Sequence, residues 1–193
     1  MKLDAKSVLA PAAILFAICI VVAAALAGTN ALTEDRIAQA AAQKAEESRM
    51  VVLPGAEAFQ ESGDGTHYIG LSKEAPDGGA VGYVFETESK GYGGTVKVMT
   101  GISTEGEITG VVVLSHSETP GLGANADKES FREQYKQPVG NLAGGIQVVK
   151  FQAPNEGEIQ AMTGATITSA AVTNAVNSAI EMYQDAYASE GGK

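Results

Sequence analysis

Apolar and polar positions divide the chain into an N-terminal apolar run, a strand-rich middle and an amphipathic C-terminal stretch. Residues 7–27 carry no charge, and a helix of about 20 residues, rising about 1.5 Å per residue, spans the ~30 Å hydrocarbon layer of a membrane. Residues 80–88, 95–103 and 108–116 are rich in β-branched and aromatic side chains, which predicts three strands. Residues 168–188 have apolar side chains at helical spacing, which predicts a helix packed on a sheet. The apolar positions of that helix are Val172, Val176, Ala179, Ile180, Tyr183 and Tyr187.

The connections between the three strands set their direction. The segments GYGG (91–94) and TEGE (104–107) separate them. Links this short join antiparallel neighbours, because a parallel pair needs a crossover of about a dozen residues. Further strands are predicted at 67–71 and 146–151. The predicted fold class is therefore α+β, with one antiparallel sheet and a packed C-terminal helix.

The apolar run predicts a single transmembrane helix with a defined orientation. Lys2 and Lys6 precede it, whereas Arg36, the first basic residue after it, stands beside acidic residues. By the positive-inside rule, the N-terminus is cytoplasmic and the chain from residue 30 onward lies on the extracytoplasmic face of the cell membrane. The alternative is a cleaved signal peptide, since ALA (25–27) resembles a cleavage site, although the run is longer than the usual apolar region of about 7–15 residues.

The residues after the anchor predict a stalk and one domain. Residues 31–50 are rich in Ala, Glu, Gln and Lys and contain no Gly or Pro, which favours a helix with Thr33 as its N-cap. The predicted organisation is a cytoplasmic N-terminus and membrane anchor at 1–29, a helical stalk at 30–50 and one domain at 51–193. About 160 residues beyond the anchor suffice for one core of ordinary size.

Charge and cysteine content exclude some classes of partner and of redox site. The formal net charge is -10. Two of the 13 Lys+Arg and one of the 23 Asp+Glu precede Asn30, which leaves 11 basic against 22 acidic residues and argues against nucleic acid as a partner. The one cysteine, Cys19, lies inside the apolar run. The domain therefore has no thiol for a disulfide, a thiolate zinc site or an iron–sulfur cluster, and redox chemistry there requires a bound organic cofactor.

The segment SHSETPGLGANA (115–126) is a glycine-bearing loop after a predicted strand. Its GLGANA end (121–126) matches the dinucleotide pattern G-x-G-x-x-A. However, Ser115 to Pro120 intervene before these glycines and the sheet is antiparallel, which disfavours a Rossmann unit. The loop either lets a flat ligand approach the backbone or simply needs glycine dihedral angles. His116 and Glu118 are candidate ligand contacts, against the simpler interpretation that they are ordinary polar loop residues.

The segment MTGATITS (162–169) comes directly before the amphipathic helix. Thr168 or Ser169 is a plausible N-cap, and a cap alone would explain the hydroxyl residues. Unpaired N–H groups and the positive end of the helix dipole also make such a turn a phosphate site. The residues alone leave cap and anion site equally open. The missing G-x-x-x-x-G-K-[ST] pattern argues against a nucleotide-hydrolysing loop.

The order of these motifs resembles that of a known family. A membrane helix is followed by GYGG (91–94), by SHSETPGLG (115–123) with Phe131 after it, and by TGATITS (163–169) opening the last helix. This order resembles the FMN-binding domain family, which includes the G subunits of Rnf electron-transport complexes and the C subunits of sodium-pumping NADH:quinone reductases. The resemblance covers nearly the whole chain, and the length suits the Rnf members better.

What the resemblance implies is covalent FMN. In the family, a flavin transferase uses FAD to place FMN, through its phosphate, on the last threonine of an [ST]-G-A-T motif, which is Thr166 here. An acidic residue usually stands six positions earlier; this chain has Gln160 there, with Glu158 two residues before it. Because such a link is remote from the ring, contacts to the isoalloxazine would set its redox properties.

The resemblance and the placement of the loops together define a candidate cofactor site. Tyr92 and Leu122 are expected against the ring, and Glu118 and Thr119 near its polar edge. No catalytic residue and no metal ligand is expected. The full set of candidate FMN-binding residues is Thr166, Thr163, Gly164, Ala165, Thr168, Ser169, Glu118, Thr119, Gly121, Leu122, Gly123 and Tyr92.

The resemblance implies an electron-relay subunit of a membrane complex. Such a complex couples electron transfer between ferredoxin and NAD to ion translocation, of sodium or protons, and the subunit has no complete activity alone. The expected partners are the other subunits, a flavin transferase for maturation, and the membrane, without nucleic acid. Two alternatives are a membrane-anchored module that binds a small anionic ligand reversibly at 163–169, and a purely structural subunit in which this segment is only a helix cap.

Overall fold

The computed structural model describes residues 5–74, 79–142 and 144–189. The chain divides into two units, Met1–Gln43 and Lys44–Lys193. In the first unit the described residues form one helix, the start of α1 (Ala5–Val52). Its large apolar side chains from Leu9 to Leu26 are all more than half exposed, and α1 is long and apolar enough to cross a membrane. An apolar helix that no other described residue covers has the composition of a membrane anchor.

Anchor and stalk are one helix. The predicted N-cap at Thr33 is wrong, because Thr33 lies inside α1 and its hydroxyl donates to the Thr29 carbonyl at 3.0 Å. A threonine inside a helix often makes this bond to the preceding turn. The helix ends at Val52, just before Pro54 and Gly55, as predicted.

The second unit is built on a five-stranded sheet of order β1-β2-β3-β4-β5 in which every neighbouring pair is antiparallel. This confirms the predicted sheet and the direction of its strands. The short connections and the alternation of apolar residues decide this order. The strands are β1 (Ala58–Glu61), β2 (His67–Leu71), β3 (Ala80–Lys90), β4 (Thr95–Ser103) and β5 (Ile108–Ser115).

The outer edge of β5 is closed by basic side chains. The Lys44 ammonium donates to the carbonyls of Val113 (3.1 Å) and Leu114 (2.5 Å). The Arg132 guanidinium donates to the carbonyl of Val111 at 2.9 Å. These carbonyls would otherwise be free to pair with another strand, so the two cations protect the edge of the sheet.

The C-terminal helix α3 (Thr166–Ser189) packs on the sheet, as predicted. It begins two residues before the predicted start. Its predicted apolar stripe is buried except for Tyr187, which is 38% exposed. Under its first turns the Tyr135 hydroxyl bonds to Thr173 at 2.9 Å. Burial raises the pKa of Tyr135 well above its ordinary value, so this hydroxyl stays protonated and keeps the bond.

A two-stranded parallel ladder lies outside the main sheet, so the prediction of one sheet was incomplete. It pairs β6 (Gln147–Val149) with β7 (Glu158–Gln160). The strand predicted at 146–151 is therefore shorter than expected, because only three residues pair. Short helical segments connect β5 to β6: the α-helix α2 (Glu129–Arg132) and three 3-10 turns at Gly123–Asp127, Glu133–Tyr135 and Val139–Asn141.

Phe151, which follows β6, has a strained backbone. Its φ is 59°, in the left-handed region, and its side chain is 95% exposed. A bulky residue in that region costs about 1–2 kcal/mol, which glycine avoids. We expect Phe151→Gly to raise the free energy of unfolding by about 0.5–1 kcal/mol.

The measurement for Phe151→Gly is urea unfolding followed by near-ultraviolet circular dichroism of the buried tyrosines, since the chain has no Trp. The control is Gln152→Gly at the next position, which is exposed and has no positive φ. We expect this control to lower stability. Equal losses in both variants would contradict strain at Phe151.

Candidate functional site

A cavity of about 640 Å³ lies beside the N-terminus of α3. Three segments that are far apart in sequence form its wall: the turn between β3 and β4, the loop after β5, and the turn that leads into α3. Its volume is in the range of small-molecule sites, roughly 300–1,000 Å³. The lining residues are Tyr92, Glu118, Thr119, Leu122, Gly123, Gly164, Ala165, Thr166, Ile167 and Thr168.

The cavity brings together most of the predicted site residues. Of the candidate set, Gly121, Thr163 and Ser169 do not line it. Ile167 does line it, with 57% of its surface exposed, and was missed. An isoleucine in the exposed first turn of a helix was the signal that could have identified it.

Glu118 links the three segments. Its side chain is buried, with 6% of the residue exposed. One carboxylate oxygen, Oε1, accepts the Gly93 N–H at 3.0 Å, and the other, Oε2, accepts the Thr168 hydroxyl at 2.6 Å. Hydrogen bonds to a carboxylate are stronger than those between neutral groups. The carboxylate therefore fastens the GYGG turn and the start of α3 to the loop after β5.

Two glycines of this loop are needed for different reasons. A Cβ at Gly123 would stand 2.6 Å from both the Glu118 Oε2 and the Thr168 Oγ1, so there is no room for a side chain. Gly121 has open space around it but a φ of 78°, which favours glycine. Gly123 is therefore required by the close approach of neighbouring side chains, and Gly121 by its positive φ. The loop does not form a Rossmann unit, because a 3-10 turn and not an α-helix follows the glycines.

His116 is engaged within the loop. Its Nδ1 accepts the Glu118 N–H at 3.1 Å, so Nε2 carries the hydrogen and faces the Asp127 carboxylate at 3.2 Å. His116 does not line the cavity. The simpler interpretation, a polar loop residue, fits its contacts.

A side chain of α3 itself, that of Ser169, holds the turn before the helix in place. The prediction of Thr168 or Ser169 as N-cap is wrong, because the helix already begins at Thr166. The buried Ser169 hydroxyl accepts the Met162 N–H at 3.0 Å and donates to the Ala165 carbonyl at 3.0 Å. Ser169 thus closes the turn before the helix, whereas Thr168 is committed to Glu118.

Thr166 is the first residue of α3 and is partly exposed. Its hydroxyl makes no hydrogen bond with any of the described residues, in contrast to those of Thr168 and Ser169. Gly164, two residues earlier, has a φ of 75°, a conformation that glycine adopts without strain. An unpaired hydroxyl next to Gly164 and Ala165 is sterically open to a reactant.

A second, smaller cavity meets the first at Gly164 and Thr166. Its volume is about 130 Å³. It contains Thr163, and also Gln160, whose N–H donates to the Gln134 side chain at 2.7 Å. The lining residues are Lys150, Phe151, Gln160, Ala161, Met162, Thr163, Gly164 and Thr166. Lys150 and Phe151 lie outside the motifs and were not predicted.

The chain matches two known protein families along its length. Residues 91–181 match the FMN-binding domain, and residues 1–49 match the RnfG N-terminal region. The first match contains every segment that lines the larger cavity. The chain thus has an FMN-binding domain behind the anchor helix.

Two curated relatives belong to the same kind of complex. The chain is 38% identical over 202 residues to the G subunit of the Na(+)-translocating ferredoxin:NAD(+) oxidoreductase complex of Acetobacterium woodii, and the alignment covers 96% of each chain. It is 48% identical over 101 residues to the G subunit of the proton-translocating ferredoxin:NAD(+) oxidoreductase complex of Clostridium ljungdahlii. That second alignment covers 52% of each chain, so it spans about half the length of this relative.

A solved structure has a similar fold. The crystal structure of Shewanella oneidensis NqrC matches with a TM-score of 0.50 at 21% identity, covering 57% of this chain and 52% of that one. At this identity the likeness concerns the fold alone. Because a relative is 38% identical over nearly the whole of both chains, and the N-terminal region matches as well, the chain belongs to the family of the G subunits of Rnf complexes.

Proposed function

We propose that this chain is an electron-relay subunit of a membrane complex and that it carries FMN, bound covalently through its phosphate to Thr166. The observation that supports the proposal is the position of Thr166. Its hydroxyl has no partner among the described residues, and it lies where the larger cavity and the smaller one meet. It is also the last threonine of the TGAT motif, inside a matched FMN-binding domain.

The residues of the larger cavity fit a flavin. Tyr92, Leu122 and Ile167 are 73%, 45% and 57% exposed and offer apolar surface that nothing described covers. Gly123, which has no room for a side chain, keeps the loop close to α3. A mostly apolar cavity with a few fixed polar groups is the usual form of a cofactor site. We propose that these three side chains hold the ring.

The attachment that we propose is a phosphoryl transfer from FAD. The Thr166 Oγ1 attacks the phosphorus on the FMN side of the pyrophosphate, and the bond from that phosphorus to the bridging oxygen breaks. AMP leaves with that oxygen, and the hydroxyl proton passes to a base of the transferase or to water. The product is a diester with one negative charge, at the N-terminus of α3, where N–H groups favour an anion.

Bound FMN supplies reversible electron transfer, and the chain itself binds, orients and shields it. The described domain has no thiol, and its relatives are named as subunits of ferredoxin:NAD(+) oxidoreductase complexes. We therefore propose that the electron donor and acceptor of the flavin are other subunits of such a complex, which couples electron transfer to ion translocation. The basic residues before the anchor favour an extracytoplasmic position for the FMN domain.

The test is to produce the full chain in cells with and without an active flavin transferase. With the enzyme, we expect a band that is fluorescent after denaturation and an intact mass above the sequence mass by FMN less one water. Protease added to spheroplasts should release this fluorescent domain. Without the enzyme, both signals should be absent.

Three outcomes separate the proposal from its alternatives. A fluorescent band that survives denaturation supports covalent FMN. Flavin or another anion that co-purifies and is lost on denaturation would indicate a reversible binding module. An unmodified, colourless chain made beside an active transferase would contradict the proposal and favour a structural subunit.

A further inference from the structure

The two cavities that meet at Thr166 differ in charge. The larger has the buried Glu118 carboxylate in its wall and no Lys or Arg among its lining residues. The smaller is lined by Lys150 and by Thr163, both of which are exposed. Lys150 is thus the one basic residue that lines either cavity in the described part of the chain. A cofactor joined to Thr166 meets a negative charge on one side and a positive charge on the other.

Lys150 is free to pair with an anion. Its ammonium makes no ion pair with any described carboxylate, whereas the pairs that the structure contains engage other basic residues. The side chain is exposed, so pairing costs little desolvation. Residues 51–193 include 18 acidic and 8 basic residues. Among the described basic residues, Lys150 is the one that shares a cavity with Thr166.

The sizes of the cavities agree with the difference in charge. About 640 Å³ with three apolar side chains suits the ring, and about 130 Å³ suits a phosphate group but not a ring system. The charged end of the cofactor is repelled by the Glu118 carboxylate and attracted by the Lys150 ammonium. A lysine ammonium binds a phosphate group as a compact positive point charge.

We infer that Lys150 is the counter-charge of the phosphodiester at Thr166, and that the opposed charges of Lys150 and Glu118 decide which end of the cofactor enters which cavity. This inference rests on the proposed function. Lys150 is a positioning residue: it holds the phosphate and has no part in electron transfer. It lies outside the TGAT motif, so the phosphate contact depends on the turn after β6 as well as on the start of α3.

The test compares Lys150→Gln and Lys150→Arg with the control Lys73→Gln. Lys73 is also exposed and lines neither cavity. The readouts, on the full chain, are the ³¹P resonance of the attached phosphodiester at low and high NaCl, and the initial rate of FMN attachment by the transferase. We expect salt to shift the resonance of wild-type, Lys150→Arg and Lys73→Gln, because it screens the pair. In Lys150→Gln, the ³¹P resonance should lie near the high-salt position of the wild-type at both NaCl concentrations. The initial rate of FMN attachment to this variant should be about three- to tenfold lower than to the wild-type.

Each other outcome overturns the inference. If Lys150→Gln shows the wild-type shift and rate, Lys150 does not pair with the phosphate, and the proposed function is untouched. If the rate falls but the resonance still moves with salt, Lys150 contacts the transferase and not the phosphate. If the wild-type chain takes up no FMN beside an active transferase, the proposed function itself fails, and the inference fails with it.

Discussion

A Thr166→Ala chain, made in cells with an active flavin transferase, is expected to keep its sequence mass and to give no fluorescent band. The change removes the only atom of this residue that can attack a phosphorus. It should not disturb the fold, because alanine is a better helix former than threonine and the Thr166 hydroxyl bonds to none of the described residues. We expect the free energy of unfolding to change by no more than about 0.5 kcal/mol. The measurements are in-gel fluorescence and intact mass.

Two matched variants locate the attachment. Thr163→Ala removes the exposed hydroxyl three residues earlier, which lines only the smaller cavity, and should leave attachment intact. Thr166→Ser keeps the reacting oxygen and should retain the modification. A fluorescent Thr166→Ala chain together with a dark Thr163→Ala chain would contradict the assignment and move the link to Thr163. The mass of the peptide that contains both threonines distinguishes the two positions.

The sheet could be predicted because its strands carry a strong local signal. β2 and β4 have the predicted bounds, and β3 and β5 differ by two residues or fewer at one end. β3, β4 and β5 are rich in β-branched and aromatic residues and are separated by turn residues. β1 was missed because its four residues, AFQE, are mostly exposed and form an edge strand with no alternation to detect. Its position depends on pairing with β2.

Helix boundaries were harder to predict because several hydroxyl residues compete for one cap. Thr163, Thr166, Thr168 and Ser169 are all capping types, and local sequence does not rank them. The structure distinguishes them by the contacts that each hydroxyl makes. Thr168 is drawn to Glu118, fifty residues away, and Ser169 closes the turn at Met162. That leaves the Thr166 hydroxyl unpaired, which is the property that matters for the proposed chemistry.

The candidate site was predicted from its motifs, but its electrostatics were not. Motif residues meet at one cavity because antiparallel neighbours bring the turn after β3 beside the loop after β5. Glu118 was expected near a polar edge of the ring, yet both of its carboxylate oxygens already serve the protein. Lys150 has no motif signal, since its proximity to Thr166 arises from the folding of the β6–β7 connection. The local pattern of apolar and polar residues does not predict contacts between segments that are distant in the chain.

Glu118→Ala is expected to lower the free energy of unfolding by about 1–3 kcal/mol. It removes two charge-assisted hydrogen bonds and leaves the Gly93 N–H and the Thr168 hydroxyl without their partner. Glu118→Gln keeps the shape and can still accept the Gly93 N–H, but its amide cannot accept the Thr168 hydroxyl through nitrogen. The free energy of unfolding of Glu118→Gln should therefore fall by a smaller amount, about 0.5–1.5 kcal/mol. Urea unfolding, followed through the buried tyrosines, measures both.

A double-mutant cycle with Thr168→Val isolates the bond between Glu118 and Thr168. If this bond fastens α3 to the loop after β5, the two losses are coupled, and the double variant should lose about 0.5–3 kcal/mol less than their sum. Glu105→Ala, at an exposed carboxylate in the β4–β5 turn, is the matched control and should change stability by at most about 0.5 kcal/mol. Additive losses for Glu118 and Thr168 would mean that the carboxylate and the hydroxyl act separately. The cavity wall would then be held by the backbone of the loop alone.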